Sequence, residues 1–365
     1  MPAPSVLPVS SVAEALNRWR AGDRVEVLRS EFLDVLASVP DPRDSRGRRY
    51  PLAGLLAIAA GMGSYAGFAT WAATAPAEVL GALGVRLRRP SEKTFRALLA
   101  RLDPVDLDQR LGAYFTALAS AEALAAGGLL PVALDGKTLR AARRMGAAAT
   151  HLVSVFAHHA RLVLGQLAVV EKSNEIPCVR KLLRVFRKVR LLVTVDAMHT
   201  QTATAKLICG TLKSHYLMIV KSNQPKLLAR LKALPWSEVP VSATDDAHGH
   251  GREERRTLKV LTAARGIGFP YAKQIVQITR DRVVTANGER SREIVYAICS
   301  VAFEQAHPCV IAAWLRDHWR IENSVHYVRD VTFDDYPVPV VMPRGAGVVI
   351  VCPGQAGWGG VADSA

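Results

Sequence analysis

Three carboxylates in the sequence stand where metal chemistry could be built. Asp135 closes the apolar run 129–134, Asp196 closes a second at 190–195, and Glu322 lies on a late helical stretch, 312–330. Ligands of open α/β sheets collect at the C-terminal ends of the strands, so two such aspartates could face one crevice. Glu322 is expected on a helix that packs across it. Carboxylates brought this close repel one another unless cations lie between them. Mg²⁺ suits the task, because it takes hard oxygen ligands and shares them with substrate phosphates; Mn²⁺ is expected to substitute. Two such ions about 3.5–4 Å apart activate water and stabilise the departing 3′ oxygen of a phosphodiester. The alternative for any single strand-end aspartate is plain turn or helix capping.

Other polar residues cluster near these carboxylates in the sequence. Lys137 and Arg140 follow Asp135 closely enough to touch a scissile strand, the alternative being two solvated side chains. Lys221, Asn223 and Gln224 sit just past a strand end, where their donors would face DNA, although Ser-Asn-Gln-Pro is also a competent turn by itself. His199 lies near Asp196, either to assist proton transfer or simply as a neighbour. His248 and His250 have no carboxylate or cysteine at metal-ligand spacing, which argues against a zinc site there. Arg43, Arg46, Arg48 and Arg49 fall within seven residues and make either a phosphate-binding patch or a solvated loop.

The elements that must position these residues change character along the chain. Residues 1–127 read as helical: 25–36 carries apolar residues at helical spacing, 52–62 is apolar all round, and Ser91 caps an amphipathic stretch to 102. Gly127-Gly128 marks a domain boundary. Beyond it come strands at 129–134, 151–156 and 162–170, a helix at 174–187, a strand at 190–195, a helix at 202–210 and a strand at 216–220. That order fits an RNase H-like mixed sheet, so the expected class is α/β preceded by an all-helical domain. Residues from about 222 to 307 are more polar, with β-rich runs at 274–279 and 293–301, and read as an insertion before the Glu322 helix. The expected domains are therefore 1–127, 128–333 and a tail, 334–365.

Composition narrows the function. The chain has 365 residues, half of them hydrophobic, which is enough for a sizeable core and excludes a disordered protein. A formal net charge of +15 favours a regularly anionic partner, for which nucleic acid is the commonest choice, or simply marks an arginine-rich protein. Five scattered cysteines form no CxxC pair and fit reduced core thiols. No signal peptide is apparent, and the longest apolar stretch falls short of the roughly 20 residues a membrane span needs. A cytoplasmic protein is the expectation, with no membrane partner.

Five motifs occur in one order: Leu134-Asp-Gly-Lys-Thr-Leu-Arg140, Val195-Asp-Ala-Met-His-Thr-Gln201, Val220-Lys-Ser-Asn-Gln-Pro225, His250-Gly-Arg-Glu-Glu-Arg-Arg256 and His318-Trp-Arg-Ile-Glu-Asn-Ser-Val-His326. Together they closely resemble the DDE transposases of insertion sequences, in the H-repeat-associated branch, from about Phe32 to Phe333. The resemblance implies metal-dependent cleavage at terminal inverted repeats and strand transfer to target DNA, by a homodimer on double-stranded DNA near the nucleoid. It makes Asp135 the carboxylate bridging both metals, Asp196 the second and Glu322 the third. It makes Arg329 a grip on a phosphate near the transposon end, and His318, where the wider group has Arg, a hydrogen-bond donor to phosphate. Arg252 belongs to a matching signature and is counted with the DNA-binding residues. Trp236 falls where relatives stack a flipped base, against the alternative of a core tryptophan. A truncated remnant that only binds DNA, and a metal-dependent endonuclease without end specificity, are the competing readings.

After Phe333 the resemblance stops. Relatives continue into a long helix rich in Leu and Arg, whereas here repeated Pro and Gly forbid a helix and almost no charge remains. A frameshift accounts for so sharp a change. Translating the alternative frame of the locus should then recover a family-like helix, and finding none would exclude the explanation.

Overall fold

A computed structural model describes residues 31–60, 64–86, 88–125, 128–138, 151–169, 175–249, 251–319 and 321. The chain divides into two compact units after Tyr114. Among the described residues of the first, 31–37 are helical, followed by α1 (Leu52–Ala60), α2 (Tyr65–Thr74), α3 (Ala77–Ala82), α4 (Glu92–Leu99) and the start of α5 (Pro104–Ala125). Helix α4 presents Phe95, Leu98 and Leu99 inward, and Phe95 meets Phe68 of α2 edge-on at 5.3 Å. Gly54 has no room for a side chain, because a Cβ there would lie 2.0 Å from the Leu83 carbonyl oxygen. Helix α5 starts on Pro104, with Asp103 Oδ1 accepting from the Val105 amide at 2.8 Å. No single helix among the described residues is long and apolar enough to cross a membrane.

The second unit is a mixed α/β fold around one nine-stranded sheet. Its strands are β1 (Leu130–Thr138), β2 (His151–Ala157), β3 (Val163–Val169), β4 (Leu191–Val195), β5 (His215–Val220), β6 (Ala243–Gly249), β7 (Arg252–Thr262), β8 (Gln274–Val284) and β9 (Arg290–Cys299), in the spatial order β3-β2-β1-β4-β5-β9-β8-β7-β6. Only β1–β4 and β4–β5 are parallel. Strand β4, Leu-Leu-Val-Thr-Val, is buried along its whole length, as a continuous apolar run in a central parallel strand should be. Helix α6 (Glu175–Leu183) covers β2 and β3, and α9 (Pro308–His318) lies across β1, β4, β6 and β7. Ile311, Trp314 and Leu315 of α9 join Leu192, Leu217, Val276 and Ala297 in one core.

Two expectations about the elements change. Strand β1 does not end at Asp135 but runs on to Thr138, because antiparallel β2 continues to pair with it as far as Thr138 and His151. On its other edge the ladder with β4 does stop at Leu134 and Val195. The segment expected as a helix at 202–210 is a single α-turn, α7 (Thr202–Ala205), that loosens into π-helix over Lys206–Thr211. The β-rich runs expected in the polar stretch are strands of the same sheet, joined to it where β9 pairs with β5.

Candidate active site

Asp135 and Asp196 are brought together by strand register. Leu134 pairs with Val195 across parallel β1 and β4, so the two aspartates follow side by side on strands about 4.8 Å apart. Asp135 is half-buried and accepts the Gly136 amide on Oδ1 at 2.8 Å. Asp196 caps the short 3₁₀ turn Ala197–His199, and its side chain is half exposed. Lys221, just past the end of β5, places its Nζ 3.3 Å from Asp196 Oδ1. Burial pushes the Asp196 pKa upward, but the Ala197 amide and the Lys221 ammonium outweigh it and hold the carboxyl below its ordinary value. Asp196 thus has a cationic partner in the chain itself, one that sequence order did not reveal. The two aspartates offer the hard oxygens Mg²⁺ prefers. Among the described residues no group of three or more metal-ligating side chains is placed to hold an ion, and Glu322 lies outside them.

Behind the aspartates lies a buried cluster that the sequence did not disclose. Glu175, at the start of α6, sets Oε2 2.7 Å from His151 Nε2 and Oε1 2.8 Å from His199 Nε2. Burial raises the Glu175 pKa, yet the two imidazoles, His199 foremost, bring it below the usual carboxylate value. The cluster presses against β1 at Gly136, where a Cβ would fall 2.4 Å from His151 Nε2 and 2.5 Å from Glu175 Oε1. Glycine directly after Asp135 is therefore a steric requirement. His199 is 1% exposed and turned toward Glu175, which removes it from proton transfer at the surface.

The Lys-Ser-Asn-Gln-Pro segment braces the turn that carries Asp196. Asn223 Nδ2 donates to the Ala197 carbonyl at 2.6 Å and Gln224 Nε2 to the Thr200 carbonyl at 2.9 Å. These amides, expected to face DNA, are engaged by backbone oxygens instead. Lys221 remains at the surface, and Lys137 is half-buried two residues beyond Asp135, hence on the same face of β1.

Residues 318 and 319 anchor the end of α9. His318 is 7% exposed, with Nδ1 3.0 Å from Thr194 Oγ1, while Thr194 donates its only proton to the Val132 carbonyl at 3.1 Å. His158 Nε2, 3.2 Å from the same hydroxyl, joins His318 around Thr194. Burial lowers its pKa to about 4. The ring is thus enclosed against Thr194 rather than exposed at the surface where a phosphate contact was expected. Next to it, Trp319 carries the Arg280 guanidinium 3.4 Å from its ring centroid and that of Arg256 at 5.3 Å. Both arginines come from the β7–β8 ribbon, where Glu254, 7% exposed, holds Arg256 and Arg282. The Arg-Glu-Glu-Arg-Arg signature thus builds a charge-paired seat for Trp319.

Residues 127–334, more than half of the chain, match the family model described as the Transposase DDE domain, and residues 33–115 match the one described as DDE_Tnp_1-associated. The chain belongs to the DDE transposase family. Its curated relatives place it in the H-repeat branch. It is 31% identical over 228 residues to "Putative transposase YncI" of Escherichia coli O157:H7, covering 56% of this chain and 55% of that one. It is 31% identical over 220 residues to "H repeat-associated putative transposase YhhI" of Escherichia coli strain K12, covering 56% and 57%. The chain thus spans about half the length of the curated relatives it matches. Among solved structures, a piggyBac transposase synaptic complex with hairpin DNA aligns with a TM-score of 0.37 at 11% identity, covering 83% of this chain and 66% of that one, too slight a likeness to argue from.

The remaining residues of this DDE transposase family member fall into two groups. Arg140, Glu322 and Arg329 lie outside the described residues, as do His250 and the tail 334–365. The others are placed. Arg43 is 10% exposed, paired with Asp41 at 2.7 Å and donating to the Tyr50 carbonyl, while Arg48 donates to the Arg43 carbonyl; both hold the loop together. Arg46 and Arg49 point outward from it. Arg252 is exposed at the start of β7, opposite Val284. Trp236 is buried, donates Nε1–H to the Leu231 carbonyl at 2.7 Å and leans on Tyr296, which makes it a core residue.

Proposed function

We propose that the chain is a DNA transposase that cleaves strands at insertion-sequence ends and joins the freed 3′ end to target DNA. The observation that carries this reading is the register that sets Asp135 beside Asp196 on parallel β1 and β4, with a half-exposed carboxylate facing outward. The strand order β3-β2-β1-β4-β5, with only β1, β4 and β5 mutually parallel, supports an RNase H-like core. Asp135, Asp196 and Glu322 would hold Mg²⁺ or Mn²⁺, which supplies activation of water and stabilisation of the leaving oxygen when bound. Asp196 is kept ionised by Lys221 and the Ala197 amide, so it is ready for a cation without prior loss of a proton. Residues 318–319 fix the end of α9, three positions before Glu322. Lys137, Arg140, Lys221, Arg329 and the outward arginines Arg46 and Arg49 would bind DNA phosphates.

In this reading residues 1–127 are an accessory DNA-binding domain, 128–333 the catalytic domain and 334–365 a tail outside the family pattern. A homodimer would join two ends in the bacterial cytoplasm. The deciding assay incubates the purified chain with labelled terminal-repeat DNA and Mg²⁺ or Mn²⁺. Nicking at the repeat, lost in Asp135→Ala and Asp196→Ala, is expected. Binding without cleavage would favour an inactive remnant, and equal cutting of unrelated duplex an endonuclease.

A further inference from the structure

A long run of unpaired basic charge among the described residues of the second unit lies on the segment that leads into β4, at the end of that strand opposite Asp196. Arg180, Lys181, Arg184, Arg187, Lys188 and Arg190 fall within eleven residues, along α6 and the 3₁₀ turn Arg184–Phe186 that follows it. The same segment turns Val179, Leu182, Leu183 and Phe186 inward, each no more than 6% exposed. Leu182 and Phe186 pack on Gly165 of β3, where an added Cβ would meet them at 3.4 and 3.5 Å. The apolar side is thus seated on the sheet and the cations are left outside; five of the six are exposed and Arg180 is intermediate.

None of these six makes an ion pair with a carboxylate among the described residues. The β6–β9 ribbon is the contrast: Arg255 is paired with Asp246, Arg292 with Asp281, and Arg256 and Arg282 with Glu254. A basic face that merely aids solubility is usually interspersed with acids in this way. Six cations in one segment repel one another, and a polyanion with regularly spaced charge relieves that repulsion. We propose that the outer face of 180–190 is a DNA-backbone track. The proposal rests on the transposase reading and adds to it the surface that carries duplex away from the aspartates. From Arg190 to Asp196 the six-residue step along β4 spans about 20 Å, or about six base pairs at roughly 3.4 Å each. The track would therefore hold sugar–phosphate about half a helical turn or more from the bond being cut, without reading sequence.

The test measures binding of the full chain to a labelled duplex that lacks the terminal repeat, between about 50 and 200 mM salt. Replacing Lys181, Arg184, Arg187 and Lys188 together by Gln should lower the slope of log K against log salt by about 3–4, and each single change by about 0.9. Cleavage at saturating DNA should be unchanged, with a higher KM. Asp135→Ala should do the reverse, abolishing cleavage and sparing the slope. The single variants, all at exposed positions, carry the test should the fourfold variant fold poorly. A wild-type slope that these substitutions leave untouched would reduce the stripe to a solvated face while the DNA reading stands. No duplex binding by the wild type would remove both.

Discussion

Arg280, from the middle of β8, sits over Trp319, the residue that closes α9, at 3.4 Å from guanidinium carbon to ring centroid. Its side chain is only 12% exposed and also reaches Glu293 at 3.5 Å. A stack this well shielded from water contributes about 2 kcal/mol. Arg280→Ala should lower unfolding stability by about that amount in urea titration. Because the stack sits three residues before Glu322, the same change should reduce nicking more than it reduces end binding. Arg280→Lys, which keeps the charge and loses the planar face, should fail to restore the rate. Full rescue by lysine would mean that charge alone matters.

His318 sets a pH dependence whose sign is fixed by its burial. Its pKa falls from 6.5 to about 4 on folding, with Asp196, His199 and Lys221 as the charged groups around it. Between those values the unfolded chain binds the proton and the folded chain does not, so stability is lost as pH falls from 6.5 toward 4. The full effect is about 3 kcal/mol. His318→Asn keeps a polar side chain for Thr194 but does not titrate, and its stability should vary less with pH across that window. Parallel profiles for the two proteins would contradict this assignment.

Glu175 is sandwiched between two imidazoles, and removing it strands both. Glu175→Ala is expected to destabilise the fold by about 3–5 kcal/mol, as breaking a buried pair does. Its lowered pKa means that the contribution is present above the ordinary value of 4.5 and lost as pH drops through the folded value. Gly136→Ala attacks the same cluster from the other side by overpacking, at about 1–3 kcal/mol. Thermal melts of the two single variants and the double should show less than additive losses, since both disrupt one contact set.

Asn223 separates two roles cleanly. If it braces the Asp196 turn, Asn223→Ala removes one hydrogen bond, costs about 1 kcal/mol, and slows cleavage without changing DNA affinity. A loss of affinity at constant catalytic rate would return the residue to the DNA surface.

The strands that lead to the aspartates could be read directly, because β1 and β4 are short apolar runs bounded by turn residues, as buried strands are. The juxtaposition of Asp135 and Asp196 was less visible: it depends on parallel register, which no local pattern encodes. The Glu175 cluster was hidden for a stronger reason. Its members stand at 151, 175 and 199 on three separate elements, and helical periodicity marks Glu175 only as a first-turn acid. The arginine-rich motifs divide in a way their spacing does not show: Arg43 and Arg48 are held by nearby carboxylate and carbonyl groups, while Arg46, Arg49 and Arg252 stay exposed. In 180–190 the charges are spread along what reads as an ordinary amphipathic helix, so their common outer face emerges only once its apolar side is seated on the sheet.

The paired arginines of the β6–β9 ribbon have an effect at a distance. Each ion pair there folds its field back on itself, while the cations on α6 leave theirs open to solvent. The field of the second unit's described residues is therefore lopsided, and under the proposed reading it would exert a torque on a nearby duplex before any contact forms. That torque survives only within about one Debye length, roughly 10 Å at 0.1 M salt. Raising the ionic strength should blur the angle of approach before it weakens the grip.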